Sequence, residues 1–306
     1  MAITGQDLNK AAGSDEDLSA DAIMPKREQP SIWRLLLANR SVFWGGLLLL
    51  VMVLIAVIWP VFTIPPTEQN VMSRLKPPSA EWWFGTDFLG RDVFVRVVHG
   101  ARISLVVGLA VALVATLIGM FLGLIAGYLR SFDTIIMRIM DGLMAIPAIL
   151  LAIALISISG SSLSTVIMAI TIPEIPRVVR LVRSVVLSVR EEPYVEAAIA
   201  AGTKLPLILI RHILPNTIAP LIVQATYICG AAMITESILG FLGAGIPPEI
   251  PSWGNIMAEG RTYFQLTPWI IFYPGIALAL TVLAVNIVGD GLRDTLDPRI
   301  ARKMRA

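Results

Sequence analysis

The chain has 306 residues, of which 56% are hydrophobic and 15% are charged, with a mean hydropathy of +0.77 and a formal net charge of +2. Soluble domains carry about 25% charged residues on average, so this composition excludes a soluble globular protein and indicates a membrane protein with several spans. The single cysteine, Cys229, lies in an apolar run and there are two histidines, which excludes a disulfide framework and argues against a metal site built by this chain.

Residues 1–30 form a polar N-terminal segment that is distinct from the rest of the chain. They contain six acidic residues, end in Lys26, Arg27 and Pro30, and lack the pattern of a cleavable signal peptide. We therefore expect a disordered tail. The apolar run 42–61 follows, with 13 Leu, Ile, Val or Phe residues. These favour membrane insertion by about 4 to 8 kcal/mol, which predicts a transmembrane helix.

A polar segment of about 62–102 separates this run from the next apolar run, 103–129. It combines turn-forming residues with closely spaced opposite charges, in Gly85-Thr86-Asp87 and Gly90-Arg91-Asp92. The motif is either a surface loop tied by its own charges or a contact for another protein or an outer gate. In the second run, small residues recur at a spacing that favours close helix contacts, within the chain or with a partner subunit; they are Gly108, Gly119, Gly123 and Gly127.

The remaining charge-free runs are 142–173, 213–235 and 262–289. The first has 32 residues, which are too many for one span of roughly 20 residues and too few for two. A hairpin tip at Gly160-Ser161-Ser162 would allow two spans that start near Thr134 and end near Val182.

The distribution of basic residues decides between five and six spans. With six spans and an internal N-terminus, the inner segments are 1–41, 130–141, 177–211 and 293–306, and they hold 18 of the 24 Lys and Arg residues. With five spans, only 7 would lie inside. Because basic residues accumulate in cytoplasmic loops, we expect six spans and two cytoplasmic termini.

The inner segment 190–215 interrupts the apolar pattern with features of a short helix-turn-helix. Pro193 suits the first turn of a helix, Gly202 its end, and Pro206 the start of a second helix that Pro215 would end. Ala197, Ala198 and Ala201 would share one face. We expect a docking segment for a soluble partner, the alternative being an ordinary connector. Its candidate residues are Glu196, Ala197, Ala198, Gly202, Ile213, Leu214 and Pro215.

Two acidic residues lie close to or within the spans. Glu174 is bracketed by prolines and followed by Arg177, and Glu236 lies near the outer end of its span. A charge at the bilayer centre costs roughly 2.5 to 3.5 kcal/mol, so such residues are shielded and often mark a transport pathway. For Glu174, pairing with Arg177 is the alternative, and both interpretations stay open.

The chain contains no GxxxxGK[ST] loop for phosphates, so any ATP hydrolysis must come from another subunit. An intramembrane serine protease would need a histidine base, yet His99 and His212 fall outside the predicted spans. We therefore expect a non-catalytic chain. A secondary transporter is disfavoured because no internal repeat is evident.

The segment EAAIAAGTKLPLILIRHILP (196–215) resembles the EAA loop of permease subunits in bacterial ABC importers. Three further stretches strengthen the match: FGTDFLGRDVFVRVVHGARISL (84–105), PSWGNIMAEGR (251–261) and GDGLRDTLDPR (289–299). From about residue 34 to 299 the chain resembles the C-type permease subunit of dipeptide, oligopeptide and nickel importers. His212 stands where the general EAA pattern has an apolar residue, a variant that resembles the peptide-transporter branch, and the chain departs from the family at Val95, where serine is common.

The resemblance implies an all-α protein with six transmembrane helices and the ABC type I importer permease fold. It implies a disordered tail (1–30), a first transmembrane helix with a flanking helix and an extracytoplasmic segment (31–102), a permease core (103–292) with a cytoplasmic coupling loop (190–215), and a C-terminal tail (293–306). The protein would lie in the bacterial plasma (inner) membrane.

The resemblance also implies the partners. These are a homologous second permease, two ABC ATPase subunits that use ATP and Mg, an extracytoplasmic solute-binding protein that the 85–92 motif would contact, and membrane lipid, with no nucleic acid. This chain itself would bind no cofactor. Peptides are the expected cargo, and nickel, opines, glutathione or sugars are the alternatives.

Overall fold

The computed structural model describes residues 39–62 and 65–296, and these residues are almost entirely helical. Within them the only β pairing is one isolated antiparallel bridge, Thr86–Asp92, so the all-α prediction is confirmed for this part of the chain. The helices are α1 (Arg40–Phe62), α2 (Val93–Tyr128), α3 (Arg130–Ala145), α4 (Ala148–Ser159), α5 (Leu163–Val189), α6 (Pro193–Ala200), α7 (Leu205–Ile208), α8 (Leu214–Phe241), α9 (Trp253–Arg261) and α10 (Trp269–Leu296).

A 3₁₀ turn at Val71–Ser73 and a π turn at Leu209–Ile213 complete the helical elements of the described residues. The predicted N-terminal tail (1–30), residues 31–38 and residues 297–306 of the predicted C-terminal tail lie outside the described residues.

The bundle has two ends, which we name the α6 end and the α9 end after the short helices found there. At the α9 end, the indole N–H of Trp253 donates to the Val97 carbonyl near the start of α2 over 3.0 Å. At the α6 end, Arg190 donates to the Gly127 carbonyl near the end of α2 over 3.4 Å. Helix α2 runs from the α9 end to the α6 end, and the continuous helix Leu205–Phe241 starts beside α6 and ends in contact with α9.

Four helical segments are long and apolar enough to cross a membrane, namely α1, α2, the continuous helix Leu205–Phe241 and α10. The α3–α4 pair is bent by 90° and is either a fifth, broken span or a re-entrant loop. The bend lies at Ile146, which precedes Pro147 and is extended (φ −94°, ψ 130°), as the proline ring favours. The 27-residue α5 is long enough, but the charged residues from Glu174 to Arg183 exclude it by composition. Length and composition thus give four or five spans, and six stays a prediction.

Helix α2 packs in parallel against α5 through a row of glycines. Three glycines of α2 each face a valine of α5 so closely that an added Cβ would lie 2.4–2.6 Å from the valine Cβ; the pairs are Gly119–Val178, Gly123–Val182 and Gly127–Val186. Real Cβ atoms do not approach this closely, so the contact requires glycine. The predicted small-residue face of the second span is therefore used inside this chain.

Candidate coupling segment and buried ionic cluster

The predicted docking segment contains α6, a separate eight-residue helix. Glu192 is its N-cap residue, and Pro193 occupies the first turn, where the missing proline N–H costs no hydrogen bond. Glu196 lies in the same turn, close to the positive end of the helix dipole. The helix start predicted from the sequence at Pro193 is confirmed.

Gly202 ends α6 in a Schellman motif. Its φ is +78°, in the left-handed region that favours glycine. Its N–H donates to the Ile199 carbonyl over 2.9 Å, and the Thr203 N–H donates to the Ala198 carbonyl over 3.1 Å. A Cβ at Gly202 would have no atom within 4 Å. The prediction that Gly202 ends the helix is confirmed, and the space around it is open.

The surface of α6 is open and largely apolar. Val195 is the buried side chain of this helix, whereas Tyr194 and Ile199 expose 46% and 49% of their surface. The predicted alanine strip is exposed at Ala197 and Ala201 and half-buried at Ala198. Most of the exposed side chains of α6 are thus apolar.

The helix that follows Gly202 does not end at Pro215, which corrects the sequence prediction. Helix α7 continues through the π turn into α8 and gives 37 helical residues, Leu205–Phe241. Pro215 is the second residue of α8 and directly follows the π turn, so it lies inside this continuous helix. The Asn216 side chain donates a hydrogen bond to the His212 carbonyl over 2.6 Å. This bond gives the His212 carbonyl a partner at the point where the π turn changes into the α-helix.

Polar and aromatic contacts connect α6 to the start of α8. The Asn216 amide donates to the Tyr194 hydroxyl over 3.2 Å, and the Tyr194 and His212 rings lie 6.2 Å apart. Among the other predicted coupling residues, Ile213 is fully buried, Leu214 is half-buried and Pro215 is exposed. These contacts therefore link α6 to the helix that runs to the α9 end.

The motif between Gly85 and Asp92 forms a compact turn at the α9 end. Gly85 and Gly90 have φ values of +74° and +76°. A Cβ at Gly90 would lie 1.8 Å from the Asn70 carbonyl oxygen, so this position excludes any side chain. The Thr86 hydroxyl is buried and accepts the Lys76 N–H over 2.9 Å.

The two aspartates of this motif have different structural roles. The buried Asp87 carboxylate accepts the backbone N–H groups of Leu89 and Arg91 over 2.8 and 2.9 Å. Asp92 is the N-cap of α2 and accepts the Phe94 N–H over 2.8 Å. Burial raises the pKa of Asp92, although the hydrogen bonds from the helix N–H groups act in the opposite direction.

Four charged side chains form a buried ionic cluster, which we define as Asp87, Arg91, Arg96 and Glu259. The Asp87 carboxylate binds Arg91 Nε over 2.6 Å and Arg96 Nη1 over 2.8 Å. The Glu259 carboxylate lies 2.5 Å from a terminal nitrogen of each arginine. Their side chains expose between 0% and 16% of their surface. The two positive and two negative charges balance, so none is buried without an opposite charge, which would be costly.

This cluster favours the tied-loop interpretation of the 85–92 motif, because Thr86, Asp87 and Arg91 are buried and unavailable to an external protein. The sequence analysis missed Arg96 and Glu259 as members of the same site. Both lie in stretches quoted for the family resemblance, and their opposite charges in apolar surroundings were the available signal.

Glu236 lies in a second buried polar contact, close to the start of α9. It is fully buried, and the Ser104 hydroxyl of α2 donates to its Oε2 over 3.2 Å. Ser252 caps α9 in a capping box with Asn255. A Cβ at Gly254 would lie 2.7 Å from the Ser237 Cα, so α9 contacts α8 almost backbone to backbone. Glu236 is thus enclosed by α2, α8 and the cap of α9.

Glu174 is buried in α5, with 7% of its surface exposed. Arg177 Nη1 lies 3.2 Å from both of its carboxylate oxygens, which is the pairing expected from their spacing. Arg177 itself is 45% exposed. A place for Glu174 on a transport pathway stays a prediction.

Two family models match the chain. Residues 93–302 match the model described as binding-protein-dependent transport system inner membrane component. Residues 31–78 match the model described as N-terminal TM domain of oligopeptide transport permease C. The first match contains α2 to α10 and therefore the coupling segment, together with Arg96 and Glu259 of the buried ionic cluster.

Curated relatives resemble the chain over nearly its full length. It is 53% identical to a "probable peptide ABC transporter permease protein" of Sinorhizobium fredii, covering 91% of this chain and 96% of the relative. It is 45% identical to a dipeptide transport system permease protein of Alkalihalophilus pseudofirmus, covering 91% of each. It is 38% identical to a di/tripeptide transport system permease protein of Pseudomonas aeruginosa, covering 96% of this chain and 98% of the relative.

The chain is therefore a multi-pass membrane protein with the ABC importer permease fold, and it belongs to the family of binding-protein-dependent transport system inner membrane components.

Proposed function

We propose that this chain is the permease subunit through which an ATP-driven, binding-protein-dependent importer moves di- or oligopeptides. The names of its relatives support the cargo, since they are peptide, dipeptide and di/tripeptide permeases. The second family model, which is described for oligopeptide permeases, supports it as well.

The observation that carries the proposal is the geometry of α6. An exposed helix with an open glycine turn is attached to a continuous helix of 37 residues that reaches the other end of the bundle. The sequence has no phosphate-binding loop, so an external source of energy is required. An ATPase subunit that docks on α6 supplies it. ATP and Mg are used by that subunit, and this chain binds no cofactor and catalyses no reaction.

Docking of a cytoplasmic ATPase assigns the sides of the membrane. The α6 end is then the cytoplasmic side, with both chain termini, and the α9 end faces outward towards a solute-binding protein. One chain supplies one docking segment, whereas these ATPases act in pairs, so the complete importer contains two ATPases and a second, homologous permease. The complex lies in the bacterial plasma membrane.

We assign Glu174 and Glu236 to the transport pathway or to the buried contacts that hold its helices in place. Glu174 pairs with the exposed Arg177, and Glu236 has one carboxylate oxygen, Oε1, without a hydrogen-bond partner among the described residues. Uptake by Glu174→Gln and Glu236→Gln variants tests them separately.

The test is reconstitution of the complete importer in proteoliposomes, followed by uptake of a labelled dipeptide. Uptake is expected to require ATP and the added binding protein, and to be unaffected when ion gradients are removed. Uptake that follows an ion gradient without ATP would instead identify a secondary transporter. ATP-dependent uptake of nickel, an opine, a sugar or glutathione in place of dipeptides would refute the peptide assignment and retain the importer.

A further inference from the structure

Helices α2 and α5 can be compared at equal depth because the glycine contacts fix their register. Gly119 faces Val178, and the next two pairs follow at intervals of four residues along both helices. Phe121 and Arg180 each lie two residues after the first pair, so they occupy the same level of the bundle. Leu117 and Arg177 likewise lie within one turn of each other.

The exposed stripe of α2 is apolar throughout. Between Arg102 and Arg130, all of its exposed residues are aliphatic or aromatic; they are Val106, Leu109, Leu113, Leu117 and Phe121, with 42% to 63% of their surface open. This is the composition of a surface that contacts lipid.

The exposed stripe of α5 has the opposite character. From Arg177 onward its exposed residues are Arg177, Arg180, Ser184 and Ser188, which are all polar and share one face, and we define the exposed stripe of α5 as these four residues. Arg180 pairs with Asp141 of α3 over 2.6 Å, and both side chains remain about half open, at 44% and 53%.

Phe121 and Arg180 point to different sides of the bundle, because each lies two residues after the Gly119–Val178 contact on its own helix and therefore faces away from that contact. An arginine that faces hydrocarbon costs roughly 2.5 to 3.5 kcal/mol at the centre of a membrane. At the level of Arg180, α2 already presents Phe121 to its own side. The two sides of the bundle therefore cannot share one environment, and the α5 side requires water or polar partners.

We infer that the exposed stripe of α5 is this chain's wall of a water-filled translocation pathway, and that Arg177 and Arg180 attract carboxylate groups of the passing cargo. This inference rests on the proposed function, since peptides carry a terminal carboxylate and often acidic side chains. The guanidinium group suits it because it stays charged at any physiological pH and binds carboxylates through two donors.

Cysteine accessibility in the reconstituted importer tests the wall. Cys229, the only cysteine of this chain and 5% exposed, is first replaced by alanine. Arg180→Cys and Phe121→Cys are then compared as a pair at equal depth. We expect a charged, membrane-impermeant thiosulfonate to label Arg180→Cys at least tenfold faster, and a lipid-soluble maleimide to label both. Equal labelling by the charged reagent would overturn the inference, as would protection of Arg180→Cys from both reagents, which would indicate a contact with the second permease.

The role of charge is tested by uptake of two peptides of equal length, one acidic and one basic. Two unit charges at 4 Å in water interact enough to change a rate about fivefold. Because Arg180→Glu turns attraction into repulsion, we expect it to lower acidic uptake at least about fivefold relative to basic uptake, and the matched Arg180→Lys to preserve the wild-type ratio. An unchanged ratio in Arg180→Glu would refute the cargo contact. If the wild type imports no peptide, the proposed function fails, whereas the labelling result still decides whether the wall is aqueous.

Discussion

The docking role of α6 can be separated from its fold by one substitution and a matched control. Gly202 and Gly243 share the left-handed conformation, with φ of +78° and +82°, and both are exposed with no atom within 4 Å of an added Cβ. Gly202 lies beside α6, whereas Gly243 follows α8 at the opposite end of the bundle. Aspartate at either position meets the same backbone strain of about 1–2 kcal/mol and no steric clash.

The two variants differ in what the new carboxylate meets. At Gly202 it lies in the proposed contact with the ATPase, where burial of a charge without a partner costs at least about 1–3 kcal/mol. Docking is therefore expected to weaken about 5- to 150-fold in Gly202→Asp. Gly243→Asp is expected to keep uptake within about twofold of wild type, because its strain is equal and its side chain stays in solvent.

The assay measures insertion, co-purification of the ATPase, ATP hydrolysis and peptide uptake in the same proteoliposomes. We expect Gly202→Asp to insert normally, to lose uptake and to hydrolyse ATP without response to the binding protein. Normal uptake by Gly202→Asp would refute the docking role of α6. Equal loss in both variants would show that backbone strain, rather than docking, is responsible.

Three further substitutions test the packing and the caps. Arg96→Met leaves the carboxylates of the buried ionic cluster with one cation, and we expect a loss of about 3–5 kcal/mol, measured as a lower temperature of inactivation in detergent. Gly123→Ala places a Cβ 2.6 Å from Val182 and is expected to lower the yield of folded protein, whereas Gly142→Ala, with open space around it, is expected to leave the yield unchanged. Asp92→Ala removes the N-cap of α2 and is expected to cost about 0.5–2 kcal/mol, with Asp92→Asn restoring most of it in the same thermal assay.

Local signals in the sequence were sufficient to predict α6 and its boundaries. Pro193 and Gly202 act through their own backbone conformations, so the start and the end of the helix follow from residue type alone. The prediction for Pro215 was wrong because a proline ends a helix only when the carbonyl one turn earlier cannot move out of its usual hydrogen-bonding position. The π turn allows that displacement here, and it depends on the packing of Ile213 in the core.

The ionic cluster could be predicted only in part, because its members are distant in the chain. Asp87 and Arg91 are four residues apart and were recognised as a charged turn. Their contact with Glu259, 168 residues after Arg91, depends on how α9 is placed beside α2. That placement results from the burial of Trp253 and from its bond to the Val97 carbonyl, which no periodic pattern in the sequence reveals.

Two helices connect the docking segment to the rest of the bundle, and they lead to different sites. Helix α5 enters α6 from the side of Arg177 and Arg180, so a displacement of α6 reaches the proposed pathway wall within the same chain segment. Helix α7–α8 leaves α6 and runs to Glu236, which is enclosed with Ser104 beneath the cap of α9.

A transporter that alternates between two arrangements needs elements that move as units and a place where they bend. The buried contacts around Glu236 hold α2, α8 and α9 together as one rigid unit at the α9 end. The π turn beside α6 changes the helix geometry, as is often found at functional sites. Motion received at α6 is therefore expected to bend α7–α8 near its docking end and to leave the α9 end rigid.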